Sequence, residues 1–229
     1  NLLESGKINA LLVQQSTPSK KVVFPVLISD AKKLHADVIA PILPASTAKI
    51  VSKMTKFQAS PKPIGVVMHP CQIRALIELV KLNQAKLDNI VIIGVDCLGT
   101  FSINSYADFH GEKKQTEFLI ESLTKKNDEV EKHLRSACRV CKDPIPTNAD
   151  IIIGLYGSDI EKEILIEAPT ETGKKLLETI KLNEGKDDKN REKAIKEIRE
   201  HKSKKREEFI KEKSSIKGID KLAEFFDKC

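Results

Sequence analysis

Ile64-Gly65-Val66-Val67-Met68-His69-Pro70-Cys71-Gln72 and, further on, Ile90-Val91-Ile92-Ile93-Gly94-Val95-Asp96-Cys97 are the two runs around which the chain is organised. Each is an apolar run of strand length, and a helical pattern over 72–86 joins them, so the segment reads strand, helix, strand. Such a crossover makes the two strands parallel and turns right-handed in nearly all known proteins. Both strands then finish at one edge of the sheet. Cys71 stands just past the end of the first and Cys97 just past Val95. If the strands are neighbours, these thiols come together at the carboxyl edge, where open α/β folds place ligands. Cys71 also precedes the helix from Gln72, whose unpaired amides and positive dipole end favour a thiolate there.

Outward from this core, short apolar runs alternate with helical patterns through the first two-thirds of the 229 residues. Strands are expected at 22–28, 38–40, 64–68, 90–95, 151–155 and 164–167, and helices at 31–35, 47–55, 72–86, 114–125, 128–135 and 173–182. The fold class is α/β, a mostly parallel or mixed sheet with flanking helices and a cofactor at its carboxyl edge. After Asn183-Glu184-Gly185 the composition changes to Lys, Arg, Glu and Asp, with a thin apolar line at Ile195, Ile198, Phe209 and Ile210. Opposite charges at helical spacing, Glu192 with Lys196 and Glu200 with Lys204, support a long charged helix there, read first as a solvated helix leaning on the rest. The organisation expected is a cofactor-holding domain over 1–182 and a charged helical extension over 183–229.

A second pair of cysteines, Cys138 and Cys141, forms a CxxC turn that aims both sulfurs to one side. Together with Cys71 and Cys97 it completes a four-thiolate set. Five cysteines in all is an odd count and lacks the spacing of a secreted disulfide framework, so metal or redox chemistry in a reducing, cytoplasmic setting is the better reading. Zinc and iron–sulfur clusters both accept four thiolates, and ligand type alone does not choose between them. One knuckle plus two single cysteines at strand ends departs from the paired knuckles of a zinc ribbon and leans towards a 4Fe-4S cluster. Any one cysteine taken alone reads better as a buried apolar residue than as a ligand.

Composition narrows the partners. The net charge of +6 arises mostly from the Lys-rich last quarter, where acids are nearly as dense as bases. Trp is absent and Tyr occurs twice, so no aromatic platforms for stacking bases are present and nucleic acid is not an expected partner. No run of some twenty apolar residues suggests a membrane span, and a soluble protein is expected. The chain begins without Met and ends on Cys229 after an amphipathic stretch, which suggests a longer polypeptide.

The residues resemble the beta subunits of coenzyme F420-reducing hydrogenase and related formate dehydrogenases. The matching stretches are His69-Pro70-Cys71-Gln72-Ile73-Arg74-Ala75, Gly94-Val95-Asp96-Cys97-Leu98-Gly99-Thr100-Phe101, and Ala137-Cys138-Arg139-Val140-Cys141-Lys142-Asp143 leading to Asn148-Ala149-Asp150-Ile151 and Gly154-Leu155-Tyr156-Gly157-Ser158. The opening Leu2-Leu3-Glu4-Ser5-Gly6-Lys7-Ile8 also looks like the amino-terminal helix of these subunits. The resemblance implies a 4Fe-4S cluster on Cys71, Cys97, Cys138 and Cys141, with FAD as hydride acceptor or donor for a deazaflavin carrier. It also implies partner subunits of a hydrogenase, formate dehydrogenase or heterodisulfide reductase-type complex. A flavin next to a cluster converts hydride chemistry into single-electron flow. No triad or carboxylate pair calls for acid–base catalysis, and no catalytic side chain is assigned.

For the flavin, Ser46, Thr47 and Lys49 offer hydroxyls, helix-start amides and a cation apt for a pyrophosphate. An ordinary helix cap at Ser46 explains them equally well. Asn148 and Asp150 lead into the next strand, and Gly154 and Gly157 let backbone approach a flat ring or the cluster, or simply form a strand-end turn. Where the family continues with a Pro-Asp-Gly-Trp-like loop, this chain has Asp159-Ile160-Glu161-Lys162, a departure that bears on the flavin contacts and not on the cluster. Two other functions are compatible with the residues. One is a flavin-free iron–sulfur relay or adaptor, and the other is a zinc-stapled binding module whose basic tail contacts an acidic partner.

Overall fold

The computed structural model describes residues 2–17, 23–107, 119–120, 129–160, 162–178, 180, 182–183, 185, 189–214 and 218–226, and their side chains except those of 129, 222 and 224–226. Among them, strands β1 (Ala10–Ser16), β2 (Val23–Ile28), β3 (Ile64–Met68), β4 (Ile90–Val95), β5 (Ile151–Gly154) and β6 (Leu165–Glu167) form one sheet in the order β2-β1-β3-β4-β5-β6. The four inner strands are parallel, and β2 and β6 close the two edges antiparallel. This is the expected mixed α/β sheet. All six residues of β4 are buried, as an apolar strand covered on both faces must be.

Helices α1 (Thr47–Thr55) and α2 (Pro70–Lys81) cover one face, where Val51, Ile73 and Leu76 pack on Leu12, Val66 and Ile92. After α3 (Ile103–Ala107), α4 (Glu129–His133) and α5 (Ser136–Arg139), helix α6 (Glu171–Leu177) covers the opposite face, its Leu176 joining Ile8, Val91, Ile93 and Ile151. A third apolar cluster, around Val95, Leu98, Phe101, Leu134 and Leu155, sits beyond the carboxyl edge. Helices α7 (Lys189–Ser214) and α8 (Ile219–Phe226) complete the chain.

Helix α1 has the expected bounds. Helix α2 starts earlier than expected and stops earlier. Pro70 occupies its first turn, where a missing N–H is harmless, and Asn83 ends it with φ 57 in the left-handed region. The strand expected over 38–40 is a turn instead. Ala40 N–H donates to Asp37 O, Ile42 N–H donates to Ala40 O, and Pro41 has no N–H for a ladder, so the apolar side chains of Ala40 and Ile42 are buried from a loop. The second neighbour of β3, besides β4, is β1, unforeseen because Gln14 and Gln15 interrupt its apolar run. Gln14 is buried and donates from Nε2 to Ile42 O at 3.1 Å. The opening 2–8 is a turn closed by Gly6 at φ 68, with N–H groups of Lys7 and Ile8 both reaching Leu2 O, and not a helix. Residues 31–33 form a short 3-10 turn. The helix expected over 114–125 lies outside the described residues except at 119–120, which are helical, and Cys229 also lies outside them.

Candidate functional site

Strands β3 and β4 lie level: Met68 pairs with Gly94, and Cys71 and Cys97 each stand three residues beyond their member of that pair. The crossover thus delivers the two thiols to one edge. The CxxC loop is brought over the same edge by hydrogen bonds to the chain that follows β4. Arg135 N–H donates to Thr100 O, its Nε to Phe101 O at 3.0 Å and its Nη2 to Leu43 O at 3.3 Å. Arg139 closes the turn on the carbonyls of Leu134 and Lys132. Cys97 N–H then donates to Pro144 O at 2.8 Å, and Arg74 on α2 lies 3.7 Å from Asp143. Gly94 makes room for this loop, since a Cβ there would fall 2.5 Å from Cβ of Pro146.

Cys71, Cys97, Cys138 and Cys141 consequently line one cavity of about 770 Å³, with Pro70, Leu98, Thr100 and Tyr156 among its walls. Tyr156 Oη donates to Cys97 O at 2.8 Å, and Thr100 Oγ1 lies 3.3 Å from Cys138 Sγ. Burial pushes the Cys97 thiol up to about 12, against an opposing Gly99 N–H, with Cys71, Cys138 and Cys141 adding to the rise. Burial also leads the upward shift at Cys71, reinforced by Cys138 and Cys141 and opposed by Arg74 and the Gln72 N–H. The four sulfurs therefore feel one another. Cys71 is exposed and the other three are half-buried; four thiolates gathered on one cavity repel and are expensive to ionise unless a polycation lies among them, and soft sulfur donors suit iron or zinc. The donor set fits an iron–sulfur cluster. Among the described residues, no three His, Cys, Asp or Glu side chains are gathered as a site for a single metal ion.

The outer wall comes from helix α7, the segment read from sequence as a solvated appendage. Ala194, Glu197, Ile198, His201, Lys202 and Arg206 line the same cavity as the four thiols. Two sets of ion pairs fix the helix. At its start Arg191 is buried and donates from Nη1 and Nη2 to Asp96 at 2.6 and 3.2 Å and from Nε to Glu167 at 2.8 Å. Asp96 also accepts the N–H groups of Leu155 and Tyr156, so one carboxylate ties β4, β5 and α7 together beside Cys97. One turn past mid-helix, Glu131 of α4 meets His201 at 3.0 Å, Lys205 at 3.1 Å and Lys202 at 3.9 Å. Burial pushes Lys202 below the ordinary lysine value, against the pull of Glu131, Cys138 and Cys141.

Of the other candidate cofactor-binding residues, Gly157 alone lines this cavity. Its φ is +84, and a Cβ would strike the Arg191 backbone at 2.6 Å; at Gly154 a Cβ would meet Arg191 Nη1 at 2.7 Å. Both glycines give close approach to Arg191. Ser46 caps α1 by accepting from Lys49 N–H at 3.4 Å, Thr47 is buried and accepts from Gln72 Nε2, and Lys49 is exposed. Asn148, at φ 56, and Asp150 stand at the amino end of β5, where Asp150 accepts from Ile92 N–H and Thr170 Oγ1. Sequence reasoning missed Asp96, Arg191 and the α7 wall. The available signal was an acid directly after a wholly apolar strand, which needs a cation, and an Arg near the start of a Lys-rich helix.

No helix among the described residues is long and apolar enough to cross a membrane. Residues 62–193 match the family model for the carboxyl-terminal part of the beta chain of coenzyme F420 hydrogenase/dehydrogenase. The F420-dependent formate dehydrogenase 1 subunit beta of Methanococcus maripaludis is 28% identical over 207 residues, 77% of this chain and 51% of that protein. The F420-dependent formate dehydrogenase subunit beta of Methanocaldococcus jannaschii is 30% identical over 173 residues, 66% of this chain and 43% of that protein. The chain spans about half the length of these curated relatives. Its fold is similar to a chain of the F420-reducing [NiFe] hydrogenase complex from Methanosarcina barkeri, with a TM-score of 0.65 at 17% identity, covering 96% of this chain and 84% of that one.

Proposed function

The chain belongs to the coenzyme F420 hydrogenase/dehydrogenase beta-subunit family, and from that premise we propose that it is an electron-transfer subunit of a cytoplasmic oxidoreductase complex. In this reading Cys71, Cys97, Cys138 and Cys141 hold a 4Fe-4S cluster, FAD binds beside it, and electrons pass between coenzyme F420 or a similar hydride carrier and a partner subunit. The partner is the catalytic or electron-accepting subunit of a hydrogenase, formate dehydrogenase or heterodisulfide reductase-type complex. The observation that carries the reading is the convergence of four thiols from three separate segments on one cavity. When bound, the cluster supplies one-electron capacity and the flavin supplies hydride chemistry.

The chain's own groups do the holding. Pro144 O and Tyr156 Oη fix the Cys97 peptide, Arg135 fixes the CxxC loop, and Leu98, Val130, Leu134 and Ile198 give the cavity apolar walls. The domain over 1–182 supplies the thiols, and residues between Ala194 and Arg206 of the extension supply the outer wall. A flavin-free iron–sulfur relay is the second reading, favoured by the position of Ser46, Thr47 and Lys49 outside the thiol cavity.

Visible absorption and iron, zinc and flavin analysis of anaerobically purified protein test both. Flavin bands over a broad cluster shoulder support the first reading, a shoulder alone supports the second, and a colourless zinc protein overturns both. The variant Cys138→Ser is expected to lose most cluster iron and delivery of electrons to one-electron acceptors. Unchanged iron in that variant would overturn the ligand assignment.

A further inference from the structure

Helix α7 brings into the thiol cavity a group that the cysteine-bearing segments do not supply, a largely buried amine. Lys202 lines the cavity with Cys138 and Cys141, and its side chain is 12% exposed. The helix cannot retreat easily, because Arg191 is locked to Asp96 and Glu167 at one end of the wall and Glu131 grips the other. The carboxylate nearest Lys202 does not cancel its charge. Glu131 is engaged more closely by His201 and Lys205, at 3.0 and 3.1 Å, and reaches Lys202 at 3.9 Å.

The remaining charges on the cavity wall are differently placed. Arg74 is paired with Asp143 on the CxxC side, Arg135 is half-buried with its guanidinium donating to the carbonyls of Phe101 and Leu43, and Lys142, Glu197 and Arg206 are exposed. Lys202 is the charged lining residue that stands mostly out of solvent on the α7 side, where screening by water and salt is weakest.

We propose that Lys202 is a positioning residue whose fixed positive charge raises the electron affinity of the centre held by the four cysteines. The inference rests on the cluster reading above. A cluster ligated by four thiolates is anionic, and its one-electron reduction adds a negative charge without making or breaking a bond. A fixed cation nearby stabilises the reduced state more than the oxidised one, and net charge, hydrogen bonds to sulfur and solvent exposure are the levers that set such potentials. The ammonium has three donors and no acceptor, so any contact with sulfur is a donation.

The test is a dye-mediated dithionite titration of the full chain, purified anaerobically with its partner subunits if they co-purify, followed by electron paramagnetic resonance. Lys202→Met is expected to keep wild-type iron and to make the centre roughly tenfold harder to reduce at a given potential, a negative shift of about 59 mV for a one-electron couple. Lys202→Arg is expected to restore the wild-type potential. Lys204→Met, which removes the same charge from an exposed position on the same helix, is expected to leave it unmoved. An unshifted potential in iron-replete Lys202→Met, or an equal shift in Lys204→Met, overturns the role of Lys202 while leaving the cluster intact. Wild-type protein without cluster iron overturns the cluster reading itself, and this inference with it.

Discussion

The two fastenings of helix α7 are opposites. At Arg191 a guanidinium and a carboxylate are both out of solvent, joined in fork geometry and completed by Glu167 and the amides of Leu155 and Tyr156. At Glu131 one partly exposed carboxylate is shared among three side chains of the helix. All the side chains of the first lie inside the segment matched by the family model, whereas in the second Glu131 lies inside it and the partners on the helix lie beyond it. A buried pair contributes little net stability over an apolar replacement, but removing one member strands a charge, so it specifies a single docking geometry. A part-buried carboxylate shared among three long side chains, two of them more exposed, holds the helix less rigidly than the fork pair and contributes less to stability.

The contrast breaks first, if it is wrong, at Arg191. Arg191→Met should destabilise by about 3–5 kcal/mol, because Asp96 is left buried and uncompensated. Denaturant unfolding measures this, and adding Asp96→Asn should recover part of the loss. The next largest effect is expected from Gly157→Ala, about 1–3 kcal/mol, since a side chain at φ +84 is strained and its Cβ meets the Arg191 backbone. Faster amide exchange at the start of α7 in that variant would tie the loss to docking.

The smallest effects are expected at the other fastening. Glu131→Gln should cost less than about 1 kcal/mol and lose even that at high salt. A loss there as large as that of Arg191→Met would erase the distinction. Acid sharpens it. Burial pushes the Glu131 carboxyl up, but hydrogen bonds from His201 and Lys205 and the charges of Lys202 and Lys205 outweigh it and hold the group below the ordinary glutamate value. The unfolded chain therefore takes up the proton first as pH falls. The Glu131 contribution is whole above the unfolded value and disappears as pH drops through the folded one, so amide exchange should rise there around 201–205 in the wild type and not in Glu131→Gln.

The same two fastenings mark what was legible in the sequence. The crossover from Ile64 to Cys97 was readable because apolar runs and a helical period are local signals, and the chain's own handedness then places Cys71 beside Cys97. The CxxC was readable as a chelate. Strand β1 was not, because a buried Gln whose amide nitrogen donates to a distant carbonyl looks like a solvent-facing residue in one dimension. The part of α7 in the cavity was hidden for a similar reason. A helix so rich in charge signals exposure, and what reverses this is the pairing of Asp96 with Arg191 across the fold, together with two glycines whose missing side chains look like turn chemistry until the helix that fills their space is known.

Asp96 and Arg191 are separated by 95 residues, and this distance has a consequence for how the molecule is made. Strands β3 and β4 and helix α2 need only nearby chain to come together, whereas the clasp on α7 waits until β5, β6 and α6 have been synthesised and closes a long loop when it forms. A chain emerging amino end first thus exposes all four cysteines on an open sheet edge before the helix that walls them exists. The order of residues is also an order of assembly, in which the thiols are complete at Cys141 before Arg191 can close the wall over them.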